Sequence, residues 1–180
     1  MLARGALGIA VLLLTTLPPA TTRAAETDMT SAANGFLGVY GSFHPSDGIP
    51  DSGGRAKLAP YLSPTLNKLL ADGATAETRF AAKVKGSPPL IEGDLFTSMF
   101  EGATSWKLSP CSANGNTARC PITFTHAEAG HPALAWTDAL LLVNTPQGWR
   151  VDDVAYGGGF QFGNTGKLTD TLRTVLREAP

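Results

Sequence analysis

Asp138 and Tyr156 carry side chains that could act together on a proton. Asp138 interrupts the apolar segment Leu134–Thr145, and Tyr156 ends the next β-like segment. Pairing the two segments through the turn at residues 145–148 places the acid opposite the phenol. A carboxylate beside a phenol in apolar surroundings can act as a general base with an oxyanion donor. The alternative, which we favour, is an edge acid that accepts a hydrogen bond from the tyrosine and fixes the sheet.

Asp152 and Asp153 are adjacent acids in the same β-like segment. Neighbouring side chains of a strand point to opposite faces, so we expect these carboxylates not to act as a pair. Asp153 is expected to share a face with Trp149 and Val151. If that face is concave and covered, Asp153 is a candidate general base, whereas on the outer face it is solvated.

Glu92, Asp94 and Glu101 bracket an apolar stretch within residues 91–100. One interpretation is an acidic rim around a pocket or a partner surface. The other, which we favour, is a loop in which Asp94 caps the following turn. The pattern of residues 91–100 does not decide between helix and strand.

His126 and His131 lie five residues apart with Glu128 between them. Their segment is typical of a turn and lacks the ligand spacing of zinc motifs, so no metal site is predicted. The Gly-rich residues 157–166 lack dinucleotide-binding or P-loop spacing. We expect them to form a flexible flap at the end of the sheet, and we predict no cofactor.

Cys111 and Cys120 are the two cysteines of the chain, and the residues between them are polar and rich in turn formers. In an exported protein, such a pair predicts a disulfide at a hairpin tip. A redox pair or a metal site is the alternative. Neither is favoured, because no Cys-x-x-Cys or His pair accompanies the cysteines.

Residues 1–25 have the pattern of a secretory signal peptide. Their apolar stretch, residues 6–17, is too short to span a bilayer, and small residues surround the predicted cleavage site near Ala24 and Ala25. We therefore expect a periplasmic or secreted mature protein, residues 26–180, that forms one domain.

Charge excludes one class of partner. The chain carries 14 basic and 15 acidic residues, and loss of Arg4 and Arg23 with the leader leaves 12 basic residues and a net charge of about −3. No basic stripe is present to neutralise phosphates, so we do not expect nucleic acid as a partner. No second apolar stretch reaches membrane length. The oligomeric state is not predicted.

The first half of the mature chain has helical periodicity. Residues 30–43 form an apolar stripe, with Thr30 or Ser31 as the expected cap. Residues 44–54 have the composition of a loop. Further helices are predicted over residues 56–62, from Ser63 and Pro64 to a stop at Asp72 and Gly73, and over residues 75–85.

The second half has the alternation of strands. Strands are predicted over residues 104–108, 119–125, 134–145 and 149–156, followed by a helix over residues 168–178. The turn predicts that Thr145 lies opposite Trp149 and Leu141 opposite Asp153. Helices followed by an antiparallel meander predict an α+β fold with helices on one side of a curved sheet.

Two motifs carry a family resemblance: EGDLFTSMFEGATS at residues 92–105 and WRVDDVAYG at residues 149–157. Together they resemble DUF3828, a family of exported bacterial domains of unknown function. The element order over most of residues 30–178 is similar to the NTF2-like (cystatin-like) superfamily, although the Gly-rich tail and last helix depart from its minimal plan. The resemblance implies a cone whose open end can hold a small ligand, and some relatives are isomerases or dehydratases.

Three functions follow, in order of preference. The first is non-catalytic binding of a small ligand or cell-envelope component, and the second is a periplasmic inhibitor or immunity-type protein that docks through the acidic rim and residues 44–54. The third is an isomerase or dehydratase with Asp138 or Asp153 as base and Tyr156 as donor. The predicted ligand-binding residues are Asp94, Phe96, Phe100, Trp106, Trp136, Asp138 and Tyr156.

Overall fold

The helical first half and the strand-rich second half form an α+β fold, as predicted. The computed structural model describes residues 20–42 and 47–179. Their helices are α1 (Ala20–Tyr40), α2 (Ser52–Leu58), α3 (Pro64–Lys83) and α4 (Leu168–Glu178), with a 3₁₀ turn at Ala59–Tyr61. The strands are β1 (Asp47–Gly48), β2 (Gly93–Asp94), β3 (Ser105–Leu108), β4 (Ser112–Asn114), β5 (Thr117–His126), β6 (Leu134–Thr145) and β7 (Gly148–Ala155).

The main sheet is antiparallel and has the order β3–β5–β6–β7, with β4 also paired to β5. The short β1 and β2 pair in parallel. Alternate residues of β5 and β6 are apolar and face the helices, which bury them. The core between sheet and helices includes Ile122, Phe124, Leu140, Leu142 and Val154.

Helix α1 covers this sheet face because its apolar residues recur at helical spacing. Met29, Ala33, Phe36, Leu37 and Tyr40 are all buried. The expected cap at Thr30 or Ser31 is wrong, because the helix begins at Ala20. The predicted signal-peptide core and His44 lie outside the described residues.

Helix α3 is a single helix, so the predicted stop at Asp72 and Gly73 is wrong. Gly73 serves close packing, since a Cβ there would lie 2.8 Å from Ile49 Cδ1 and 3.4 Å from Leu172 Cδ2. The predicted start is confirmed: Ser63 caps the helix by accepting a hydrogen bond from the Leu66 amide at 3.0 Å.

Helix α2 begins earlier than predicted, within the expected loop. Asp51 caps it by accepting a hydrogen bond from the Gly54 amide at 2.7 Å, so Ser52–Leu58 is helical and residues 59–61 continue as the 3₁₀ turn. The glycines at 53 and 54 weaken the helical pattern in the sequence, and the Asp51 cap marks where the helix begins.

The β6–β7 hairpin contains a bulge that the sequence did not reveal. Thr145 pairs with Gly148 rather than Trp149, and the register shifts between Leu141 and Leu142. As a result Leu141 still pairs with Asp153, as predicted, because Asp152 is the extra residue.

Cys111 and Cys120 form the predicted disulfide, with their Cα atoms 4.1 Å apart. It connects β5 to the turn before β4. None of the helices within residues 20–42 and 47–179 combines the length and apolar character needed to cross a bilayer.

Candidate ligand-binding cleft

The loop between β2 and β3 buries polar side chains where an apolar core would be expected. Asp94, Thr97 and Ser98 are each at most 1% exposed. Every buried side-chain nitrogen and oxygen in the described parts of the chain has a hydrogen-bond partner. The polar groups of this loop therefore form a satisfied network rather than a packing defect.

Asp94 joins this loop to helix α1. Its carboxylate accepts hydrogen bonds from the Tyr40 hydroxyl at 2.5 Å and from the Phe96 amide at 2.7 Å. Burial raises the pKa of Asp94 to about 7, and burial beside this carboxylate raises the pKa of Tyr40. The Asp94 amide bonds the Phe100 carbonyl at 2.8 Å, which closes the loop on itself. Capping of the next turn by Asp94 is thus observed.

Gly102 makes room for this carboxylate. Its φ is +78°, and a Cβ there would lie 2.5 Å from Asp94 Oδ2. Any other residue would meet both backbone strain and a clash.

Asp138 joins the same loop to the sheet. The Ser98 amide at 2.7 Å, the Trp136 indole at 3.0 Å and the Gly157 amide at 2.8 Å all donate to it, as does the Ser98 hydroxyl. These four donors fill the acceptor positions of one carboxylate. The Asp138 carboxylate therefore has no free lone pair with which to accept a proton from a substrate.

Asn164 ties the Gly-rich segment to the loop. Its side-chain amide donates to the carbonyls of Asp94 at 2.6 Å and Thr97 at 2.7 Å, and its backbone amide bonds the Ser98 carbonyl at 2.9 Å. Gly163 allows this approach, because a Cβ there would lie 2.1 Å from Ser98 O. We call Asp94, Thr97, Ser98, Asp138 and Asn164 the polar network.

An open cleft of about 580 Å³ lies between the loop and the Gly-rich segment that this network connects. Phe100 is 40% exposed and Phe162 is 80% exposed, while the Phe160 ring packs edge-on against Trp136 at 5.3 Å. We call this site the aromatic cleft; it is lined by Met99, Phe100, Glu101, Phe160, Gln161, Phe162 and Gly163.

Of the predicted ligand-binding residues, Phe100 lines the aromatic cleft. Phe96 is 1% exposed and packs against Phe36, with ring centroids 5.5 Å apart. Trp136 is also buried. Trp106 is half-buried against Tyr40, with ring centroids 5.5 Å apart. These three rings lie in the core, where side chains fill the space beneath the helices.

Tyr156 and Asp138 do not bond to each other. The Tyr156 hydroxyl donates to the Leu95 carbonyl at 2.7 Å, and burial raises the pKa of Tyr156. Strand β7 ends at Ala155, and Gly157 rather than Tyr156 donates to Asp138. The predicted hydrogen bond from the tyrosine is therefore wrong, although a sheet-fixing role fits the observed contacts.

Asp153 lies on the face opposite to the one predicted. Val151 pairs with Leu142 and Asp153 pairs with its neighbour Leu141, so the bulge sends Asp153 away from Val151 and the core. Its carboxylate accepts hydrogen bonds from the Thr169 amide at 3.0 Å and hydroxyl at 2.7 Å. Asp153 thus caps helix α4 from the sheet.

Asp152 and Asp153 lie at the bulge, on the strand next to β6. Both residues line one shallow cleft of about 410 Å³, together with Arg119 and Lys167. Because Asp153 is committed to helix α4, this cleft does not offer a free pair of carboxylates.

His126 and His131, the two histidines among the described residues, do not belong to a metal-binding cluster. His126 Nδ1 lies 2.8 Å from the Gly102 carbonyl, which attaches the end of β5 to the loop. Among the described residues, no group of three or more His, Cys, Asp or Glu side chains is arranged to hold a metal ion.

Comparison with known proteins yields no match among protein-family models, curated proteins or solved structures. The geometry of the chain itself therefore carries the functional argument.

Sequence reasoning missed Tyr40, Ser98 and Asn164. Each is an ordinary residue locally: Tyr40 belongs to an apolar helix stripe, and Ser98 and Asn164 lie in turns. Their partners are 40 to 70 residues away in the chain, so no local spacing marks them. The paired glycines at 157 and 158, whose amides reach Ser98, were the one available signal.

Proposed function

We propose that this chain is an exported, NTF2-like domain of the DUF3828 type that binds a small apolar ligand without catalysis. The ligand is held in the aromatic cleft, at the junction of the 92–105 motif and the Gly-rich segment. The observation that carries the proposal is the exposure of Phe162 and Phe100 beside an open cavity.

Cavity size supports a small ligand. A volume of about 580 Å³ lies inside the range of roughly 300–1,000 Å³ typical of ligand sites. Phe162 is 80% exposed, and leaving a large ring in water forgoes the stabilisation that burial would give. A bound apolar group would recover it.

The polar network supports a preformed site. Asn164 fixes the wall that carries Phe160 and Phe162 to the loop that carries Phe100. Walls that are already in place lose little conformational entropy when a ligand binds, which favours affinity.

The state of the candidate bases supports binding over catalysis. Asp138 has four donors on its two oxygens, and Asp153 caps a helix. An isomerase or dehydratase needs a base with a free acceptor position facing the substrate.

Export and family are supported by the disulfide and by the architecture. The Cys111–Cys120 bond is typical of oxidising compartments. Helices packed on one face of an antiparallel sheet, with the late β6–β7 hairpin, are features an NTF2-like cone would have.

Titration with a neutral fluorescent apolar probe, N-phenyl-1-naphthylamine, tests the proposal. We expect saturable binding that weakens about tenfold or more in Phe162→Ala, since one apolar ring contact is lost. Leu134→Ala is the matched control, because Leu134 is 48% exposed outside the aromatic cleft. Equal binding by wild type and Phe162→Ala, with unchanged circular dichroism, would refute the assignment of the site.

A protein partner is the second candidate, favoured by the same exposed Phe162 beside Glu101. Exposed apolar patches rimmed by charge often mark protein contacts. Capture from an envelope extract with wild type and Phe162→Ala as baits distinguishes the two. A protein retained by the wild type alone, together with failure of the small probe, would favour this function.

A further inference from the structure

The aromatic cleft has an asymmetric charge. Of the seven residues that line it, Glu101 is the one with a charged side chain, and it is exposed. Gln161 adds a neutral amide, and no Lys, Arg or His is among these lining residues. A ligand with a negative group would meet a carboxylate there and no compensating cation.

The polar network adds negative charge next to the cleft. The Asp138 carboxylate is buried in strand β6 and accepts a hydrogen bond from Trp136, the ring against which Phe160 packs. Buried carboxylates are screened by solvent much less than exposed ones. The Asp138 carboxylate therefore disfavours an anion in the cleft and favours a cation.

The aromatic rings act in the same direction. Phe100, Phe160 and Phe162 supply three aromatic rings to one cleft. The face of an aromatic ring carries partial negative charge and attracts ammonium groups. Aliphatic walls would bind the apolar body of a ligand equally well but would not select its charge.

We propose that the ligand is an amphiphilic cation, with an alkyl or aryl body against the phenylalanines and an ammonium group beside Glu101. This inference rests on the proposed function, because it names the class of ligand for the same cleft. Glu101 selects the charge of the ligand, and the three rings contact its apolar body.

Three ligands with the same eight-carbon alkyl chain test this assignment: octyltrimethylammonium, octanol and nonanoate, each displacing the neutral probe at low ionic strength. We expect the ammonium to bind about tenfold more tightly than the carboxylate, with the alcohol between them. In Glu101→Gln the ratio should fall to roughly threefold or less, since the rings remain. Glu178→Gln removes the same charge from the exposed last turn of α4 and should retain the wild-type ratio.

The outcomes separate the two proposals. Nonanoate binding as tightly as the ammonium would overturn the charge assignment while leaving the cleft as an apolar site. A tenfold preference that persists in Glu101→Gln would overturn the role of Glu101. If neither the probe nor any of the three ligands binds, the proposed function itself fails, and the inference falls with it.

Discussion

The two sides of the sheet's buried face are stabilised in different ways. On the side of the β6–β7 turn, apolar residues such as Ala118, Leu142 and Val151 are buried beneath the helices. On the side of the β2–β3 loop, the interior contains the carboxylates of Asp94 and Asp138 and their donors. The stability of the first region depends on how well apolar side chains fill its interior. The stability of the second depends on hydrogen-bond donors that match the acceptors.

This difference determines where the molecule has a unique conformation. Apolar cores accept many similar side chains at small cost, because dispersion and burial are not directional. A buried carboxylate with four donors accepts one arrangement, since every unmatched donor carries a desolvation cost. The polar network therefore fixes the walls of the aromatic cleft, and the apolar side supplies general stability.

Asp138→Ala tests the polar side most severely. The change leaves the buried amide of Ser98 and the indole of Trp136 without their acceptor, and the Gly157 amide loses one of its two acceptors. We expect a loss of about 3–5 kcal/mol in the free energy of unfolding. Urea denaturation followed by tryptophan fluorescence measures it, and hydrogen exchange at Ser98 and Gly157 should accelerate.

Asp152→Ala is the control for removal of an acid from the same sheet. Asp152 is half-exposed at the bulge, so its loss should change stability by about 0.5 kcal/mol or less. Similar losses in both variants would show that the network has no special role.

The pH dependence of stability sharpens the comparison further. Burial raises the pKa of Asp94 from 3.8 to about 7, so the folded protein holds a proton that the unfolded chain has released. Its stabilising contribution is complete below about pH 4 and is lost as the pH rises through about 7. Between these values, wild type should lose at most about 4 kcal/mol relative to Asp94→Asn.

Urea unfolding of wild type and Asp94→Asn at intervals from pH 4 to pH 8 measures this difference. Tyr40→Phe provides a directional check, because the Tyr40 hydrogen bond lowers the pKa of Asp94. In that variant the loss of stability should begin at the same pH and continue to higher pH, because only the pKa of Asp94 in the folded protein is raised. A difference between wild type and Asp94→Asn that stays constant over the range would contradict the prediction.

The apolar side was predictable because its signals are local. Alternation and a Pro-Gln-Gly turn define the β6–β7 hairpin, and the bounds of β6 and α4 agree with the prediction. The disulfide was predictable because its two cysteines are separated by only 9 positions in the sequence. In each case the partner of a residue lies within a few positions or repeats at a fixed period.

The polar side could not be predicted for the opposite reason. Ser98 meets Asp138 forty residues later, and Asn164 meets Thr97 across 67 residues. The bulge at Asp152 places Asp153 on the face opposite to the expected one. One inserted residue moves every side chain beyond it to the other face of the strand. Neither long-range hydrogen bonds nor a single bulge leaves a periodic trace in the sequence.

Removal of the disulfide tests the apolar side, with the smallest of the three expected effects. Cys111→Ala combined with Cys120→Ala frees a loop with a sequence separation of 9 and should reduce the free energy of unfolding by about 2–3 kcal/mol, mainly through the unfolded chain. Probe binding to the aromatic cleft should persist, because the polar network is untouched, whereas Asp138→Ala should weaken both properties. Loss of probe binding in the folded double variant would mean that the two regions are not separable.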